Sequence, residues 1–262
     1  MRAADYRAAR FRAALFVVAL LAPGAFDGIA RADEEDNCAA GDQTVQADFP
    51  LPRVAAALQQ KHLDIAVVGS GSSTLGAPSG PSKAYPARLE ATLSQVFPDA
   101  AVKVVTYIKL RETAVDMAKE LDHIVDATKP DLVVWQTGTV EAIQGIDADE
   151  FRSALDEGVE ALRAKHVDVV FVNMQYSPRT EPVVAIDNYA DVMRFVALQH
   201  EVLLFDRFAV MRHWSEAGTF DLFSATKKAD TAERVHDCLG RLLGRLITEA
   251  EQMTETSGKD VH

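Results

Sequence analysis

Residues 65–76 read Ile-Ala-Val-Val-Gly-Ser-Gly-Ser-Ser-Thr-Leu-Gly, and the fold follows from how this stretch is read. Ile65 to Val68 is a short apolar run stopped by Gly69, the pattern of a buried strand. A loop of small residues, Gly69–Gly76, follows it. Working outward, the same alternation recurs. Leu89, Leu93 and Val96 fall on one face of a helix predicted over Pro86 to Phe97, stopped by Pro98. Val102 to Ile108 is β-branched and strand-like. Thr113 to Ala127 returns to helical spacing through Met117, Leu121, Ile124 and Val125.

The pattern continues with a strand at Leu132 to Trp135, a helix over Asp149 to Lys165 with Asp149 as its N-cap, and a strand at Val167 to Val172. A helix is predicted over Tyr189 to Leu198, a fifth strand at Val202 to Phe205, and helices over Phe208 to Trp214 and Ala232 to Met253. Short apolar strands separated by helices predict a parallel sheet covered on both faces. The expectation is an α/β protein, a three-layer α/β/α sandwich with a five-stranded parallel sheet over residues 61–253, preceded by an extended lead at 33–60 and followed by a polar tail at 254–262.

The chain has 262 residues, 48% of them hydrophobic and 25% charged, which excludes disordered and collagen-like classes. Its 39 acidic against 27 basic side chains give a net charge of −12, and no nucleic-acid partner is expected because that function needs a basic face. Arg2, Arg7, Arg10 and Arg12 precede an apolar run of ten, Ala13 to Ala22, and Ala30-Arg31-Ala32 fits a cleavage site. Residues 1–32 therefore read as a secretory signal peptide, with an uncleaved anchor as the alternative. No later segment reaches the ~18 apolar residues of a membrane span. Cleavage removes five arginines and two aspartates, leaving 22 basic against 37 acidic residues, a net −15. Periplasmic or secreted localisation would permit a Cys38–Cys238 disulfide, with two unpaired thiols as the alternative.

Ligands of such folds bind at the carboxyl ends of the strands. That rule sets aside His62, His166 and His200, which precede strands, and leaves His213 and His236 after the last strand. His123 lies within a helix and His262 in the tail. No HxH, HExxH or CxxC spacing occurs, so no metal is expected. Read as GxGxxG, the loop after the first strand has Thr74 where the third glycine belongs, and the second strand ends near Lys109 and Arg111 rather than an acid. No cofactor is expected on that reading. A serine at the mouth of the sheet, with small neighbours, can instead meet a substrate while backbone N–H groups face a developing oxyanion.

Several blocks, in order, resemble one family. They are Gly69–Gly76, Tyr85–Glu90, Pro130–Thr139 (Pro-Asp-Leu-Val-Val-Trp-Gln-Thr-Gly-Thr), Gln175–Pro178 and Arg207–Trp214. Together they resemble a secreted SGNH/GDSL-type serine hydrolase, of the bacterial branch with GSSST in place of GDS, over almost the whole mature chain. The resemblance implies the SGNH hydrolase, flavodoxin-like fold. It also implies Ser72 as nucleophile, with Gly71 where the usual Asp stands and Ser70 as the fallback.

Departures from the family are as informative. Its second block offers a glycine N–H; Lys109–Thr113 has none, and Arg111 stands in that place. Its third block ends Gly-x-Asn-Asp, whereas Gly138-Thr139-Val140-Glu141 lacks the amide donor. Its last block is Asp-x-x-His, which Glu233-Arg234-Val235-His236 keeps as a carboxylate three residues before a histidine. Aligned on Cys238 instead, the Asp and His positions hold Lys227 and Asp230. The reading implied is an exported esterase acting on a small ester or acylated carbohydrate. Ser72 attacks, His236 is the base, Glu233 orients it, and Gly138, Thr139 and Arg111 serve the oxyanion or substrate. The alternative is a catalytically degenerate protein of this fold that binds a glycan or envelope partner.

Overall fold

The strands form because their residues are apolar on both faces. β1 (His62–Gly69), β2 (Ala101–Ile108), β3 (Leu132–Gln136), β4 (Asp168–Val172) and β5 (Leu203–Phe205) make one parallel sheet in the order β2-β1-β3-β4-β5. β1 is interior, second from the edge: Val68 pairs with Tyr107 of β2 on one side and Trp135 of β3 on the other. Every residue of β3 is buried, whereas β2, at the sheet edge, is only partly covered. These features come from a computed structural model that describes residues 38–40, 45–76, 80–182, 184, 186–224 and 228–259, with backbone alone for 228 and 255–259. The segment read above as a signal peptide, residues 1–32, and Lys227 lie outside them. The described residues fall in one compact unit.

Helices cover both faces. α1 (Pro52–Gln59), α3 (Tyr85–Val96) and the long α9 (Lys228–Lys259) pack together on one side. On the other lie α4 (Ala114–Thr128), α6 (Ala148–Ala164) and α7 (Ile186–Gln199). Shorter helices occupy the carboxyl rim of the sheet: α2 (Gly80–Lys83), α5 (Thr139–Gln144) and α8 (Arg207–Glu216). The sequence expectation of a three-layer α/β/α sandwich with a five-stranded parallel sheet matches this architecture.

Three local expectations are corrected. The lead at 33–60 is not extended throughout, because 52–59 is helix α1. Its first turn is held by the Asp168 carboxylate, whose Oδ2 accepts from the N–H groups of Arg53 (2.8 Å) and Val54 (3.0 Å). The N-cap of α6 is Asp147, which accepts from Asp149 and Glu150, so Asp149 lies inside the helix. Residues 254–259 continue α9 rather than leave it.

Cys38 and Cys238 are bonded, with Cα atoms 5.1 Å apart, fastening the start of the described chain to α9. Gly240, two residues further along α9, lets that helix approach α3. A Cβ there would lie 2.4 Å from the Arg88 Cβ and 2.9 Å from the Tyr85 carbonyl oxygen. This close crossing brings His236, four residues earlier on the same helix face, against the first turn of α3.

Candidate active site

β1 delivers the serine-rich loop to the carboxyl rim, where Gly71–Ser73 forms one 3₁₀ turn. Gln136, the last residue of β3, sorts its three serine hydroxyls. The Gln136 Oε1 accepts from the Ser70 N–H (3.1 Å), the Ser70 hydroxyl (3.3 Å) and the Ser73 hydroxyl (2.8 Å). Ser73 also shares a 3.0 Å hydrogen bond with the Tyr85 phenol. Ser70 and Ser73 are buried in this network. Ser72 alone of the three lines a cavity of about 390 Å³, whose walls include Leu75, Tyr176, Arg207, Met211 and His236.

Arg207 opens α8 directly after β5, and its side chain is 1% exposed. Its Nη2 donates to the Ser72 Oγ and its Nη1 to the Ser72 carbonyl oxygen, each at 3.2 Å. Burial lowers its pKa to about 10, so it stays a cation at neutral pH. The turn that carries it is fixed on both sides. Asn173, after β4, accepts from the Phe208 N–H (2.9 Å) and donates to the Asp206 Oδ1 (2.7 Å), and Asp206 caps α8 through the Ala209 N–H (2.9 Å).

His236 is buried, and its Nδ1 accepts the backbone N–H of Tyr85 at 3.0 Å. That N–H is one of the unsatisfied donors at the start of α3, so the imidazole works as a helix cap. Because a backbone N–H can only donate, the neutral ring carries its proton on Nε2. Burial and then the charge of Arg207 push its pKa down from 6.5 to about 4. Among the described residues no hydrogen bond joins His236 to Ser72, although both face the same cavity.

The other residues singled out in the sequence lie elsewhere. Glu233 does not touch the imidazole: both carboxylate oxygens accept from Lys83 Nζ, at 2.7 and 2.8 Å. The Gly138 N–H is taken by the Glu141 Oε2 at 2.8 Å. Gly138 itself is held at φ 95°, with no room for a Cβ beside the Met174 sulfur. The Thr139 hydroxyl accepts from the Gln175 N–H at 3.3 Å. Arg111 is exposed in the loop after β2 and does not line the cavity. Its φ of 63° is the left-handed conformation that a glycine takes without strain, in keeping with a position the resembled family fills with glycine. His213 is exposed on α8. Sequence reasoning passed over Arg207 and Gln136. The one signal available was their place, at or just beyond the carboxyl ends of β3 and β5.

Among the described residues, one cluster has the composition to hold a metal ion: His62, Asp64 and Asp131, at the opposite rim. There the Asp131 Oδ2 already accepts the Asp64 N–H at 3.0 Å and lies 3.7 Å from the His62 Nε2.

Comparison with known proteins places this geometry in a familiar fold. A variant of an acetyl xylan esterase from Geobacillus stearothermophilus superposes with a TM-score of 0.58 at 19% identity, over 71% of this chain and 94% of that one. TesA gives 0.53 at 22% identity, over 74% of this chain and 98% of its own. A protein described as lipolytic and of the G-D-S-L family, from Desulfitobacterium hafniense, gives 0.54 at 18%, over 70% and 99%. At these identities the likeness is one of fold. No curated protein matches the sequence. A family match does extend over residues 37–253, nearly all of the chain beyond the proposed leader, and on that ground the chain belongs to the Non-GDSL lipase-like family.

Proposed function

We propose that this chain is an exported serine ester hydrolase, acting on acyl groups, acetyl above all, of a carbohydrate or cell-envelope substrate. The single observation that carries the reading is the sorting of the serine loop. Two serine hydroxyls are bound to Gln136, and the third, that of Ser72, faces a cavity shared with an imidazole and a guanidinium. Ser72 Oγ attacks the ester carbonyl, its proton passes to His236 and then to the leaving alcohol, and water repeats the sequence on the acyl-enzyme. For His236 to accept that proton on Nε2, its Nδ1 must carry the other one. The ring therefore has to turn away from the Tyr85 N–H during the cycle. Glu233 has no part in this scheme, since Lys83 holds it. Export is supported by the basic, apolar and small-residue order of residues 1–32, and by a disulfide of the kind that persists in oxidising compartments. The first residue of the mature chain is then Asp33.

A second reading, a binding protein of the same fold without chemistry, draws on the Tyr85–His236 hydrogen bond, which holds the imidazole in the tautomer that cannot serve as base. Hydrolysis of short-chain aryl esters separates the two. Turnover by the wild type that Ser72→Ala and His236→Ala both abolish supports the hydrolase. No turnover by a folded wild-type protein supports the binder.

A further inference from the structure

We propose that the Arg207 guanidinium is a catalytic group of this site, stabilising the negative charge on Ser72 Oγ as its proton leaves, beside a Gly138–Glu141 turn that offers no side-chain donor. This rests on Ser72 being the nucleophile. Three observations support it. The first is reach: Arg207 holds both the Oγ and the carbonyl oxygen of Ser72 in one fork, so that an N–H points at the atom that loses its proton. A planar guanidinium fixes two acceptors at once, which an ammonium does not.

The second is the charge itself. Among the described residues no carboxylate lies within ion-pair distance of Arg207, and its buried Nε has no partner at all. Its neighbour Asp206 turns the other way, its Oδ2 accepting from Arg194 at 2.9 Å. A buried ion without a counter-charge is strongly unfavourable, and the penalty is offset when an anion forms beside it. A cation kept for packing alone would be expected to carry a partner. This one is left with its charge uncompensated next to a single hydroxyl.

The third is the lack of an alternative at the neighbouring turn. Glu141 occupies the Gly138 N–H and accepts from the Thr137 hydroxyl (3.0 Å), while Val140 has no side-chain donor. In the attack, the Oγ–H bond breaks and its proton goes to the imidazole. The Oγ–C bond forms, and the carbonyl π pair becomes a lone pair on oxygen. Arg207 neither gives nor takes a proton. It lowers the energy of the charge that Oγ carries while its proton leaves, before the bond to carbon moves that charge to the former carbonyl oxygen.

Steady-state ester hydrolysis by the full protein and by Arg207→Met and Arg207→Lys tests this, with unfolding temperature as the check on folding. Arg207→Met is expected to lose roughly 100- to 1,000-fold in kcat, the size of a lost oxyanion donor, with KM little changed. Arg207→Lys keeps the charge without the fork and falls between the two. A folded Met variant with wild-type kcat, or a folded Lys variant impaired as deeply as a Met or Ser72→Ala variant, overturns the assignment while leaving Ser72 as nucleophile. If the wild type itself turns over no ester, the hydrolase reading fails first and this one with it.

Discussion

The two rims of the sheet hold titratable groups displaced in opposite directions, and they differ in what those groups face. At the amino rim, burial lifts Asp168 from 3.8 to about 6, against the pull of two backbone N–H bonds. Those bonds stitch α1 to β4, and the neighbouring Asp131 likewise binds the Asp64 N–H. At the carboxyl rim, burial and Arg207 lower His236 to about 4. There the donors stand beside a cavity, and the cation has only neutral oxygens to hold. A displaced pKa therefore marks burial in both places. An uncompensated charge beside the Ser72 hydroxyl distinguishes the rim to which we assign chemistry.

The comparison breaks most visibly in activity. His236→Ala is expected to lower kcat/KM for aryl esters by roughly 100- to 10,000-fold, while Asp168→Asn leaves it unchanged. Equal losses from the two would erase the distinction between the rims.

Stability against pH sharpens it next. Between about pH 4 and 6.5 the unfolded chain binds a proton at His236 that the folded chain refuses, so stability falls as pH drops through that window. The full effect is about 3 kcal/mol. Asp168 has the reverse sign. Between 3.8 and about 6 the folded chain binds the extra proton, so its contribution is present in acid and lost as pH rises. Allowing for the solvent that still reaches this carboxyl, the effect is about 2 kcal/mol. Urea unfolding across this range should show the acid-side loss steepen in Asp168→Asn and flatten in His236→Gln. A shared slope in both variants would contradict the assigned origins.

The smallest expected effect concerns Glu233. Its pair with Lys83 is more than a third exposed on both sides, and such pairs contribute under about 1 kcal/mol. Glu233→Gln should therefore move the unfolding midpoint only slightly and leave ester hydrolysis unchanged. A large fall in kcat would restore the orienting role that the sequence suggested.

How much of this was legible in the sequence varies with how local the cause is. Ile65 to Val68, Leu132 to Trp135 and, apart from Asp168, Val167 to Val172 announced a parallel sheet because strands buried on both faces need near-continuous apolar runs. α1 was hidden because Leu51, at its N-cap, makes no side-chain cap hydrogen bond. The cap comes from Asp168, more than a hundred residues away. α5 was hidden by its six-residue length. The site shows the same division. Three serines in one loop are visible in sequence, but only their contacts with Gln136 tell which is left to face the cavity. The spacing of Glu233 and His236 permits a helical pair. Lys83 and the Tyr85 N–H, brought in by the crossing of α3 and α9, claim both side chains first. Arg207 opens one of the blocks that carry the resemblance, but nothing local gives it a role, which depends on β5 and β1 ending at the same rim.

The most direct measurement is the site of covalent modification by a fluorophosphonate, mapped by mass spectrometry of peptides spanning residues 69–76. A single adduct on Ser72, absent from Ser72→Ala, is the predicted result. An adduct on Ser70 or Ser73, or none on the folded protein, would contradict the account.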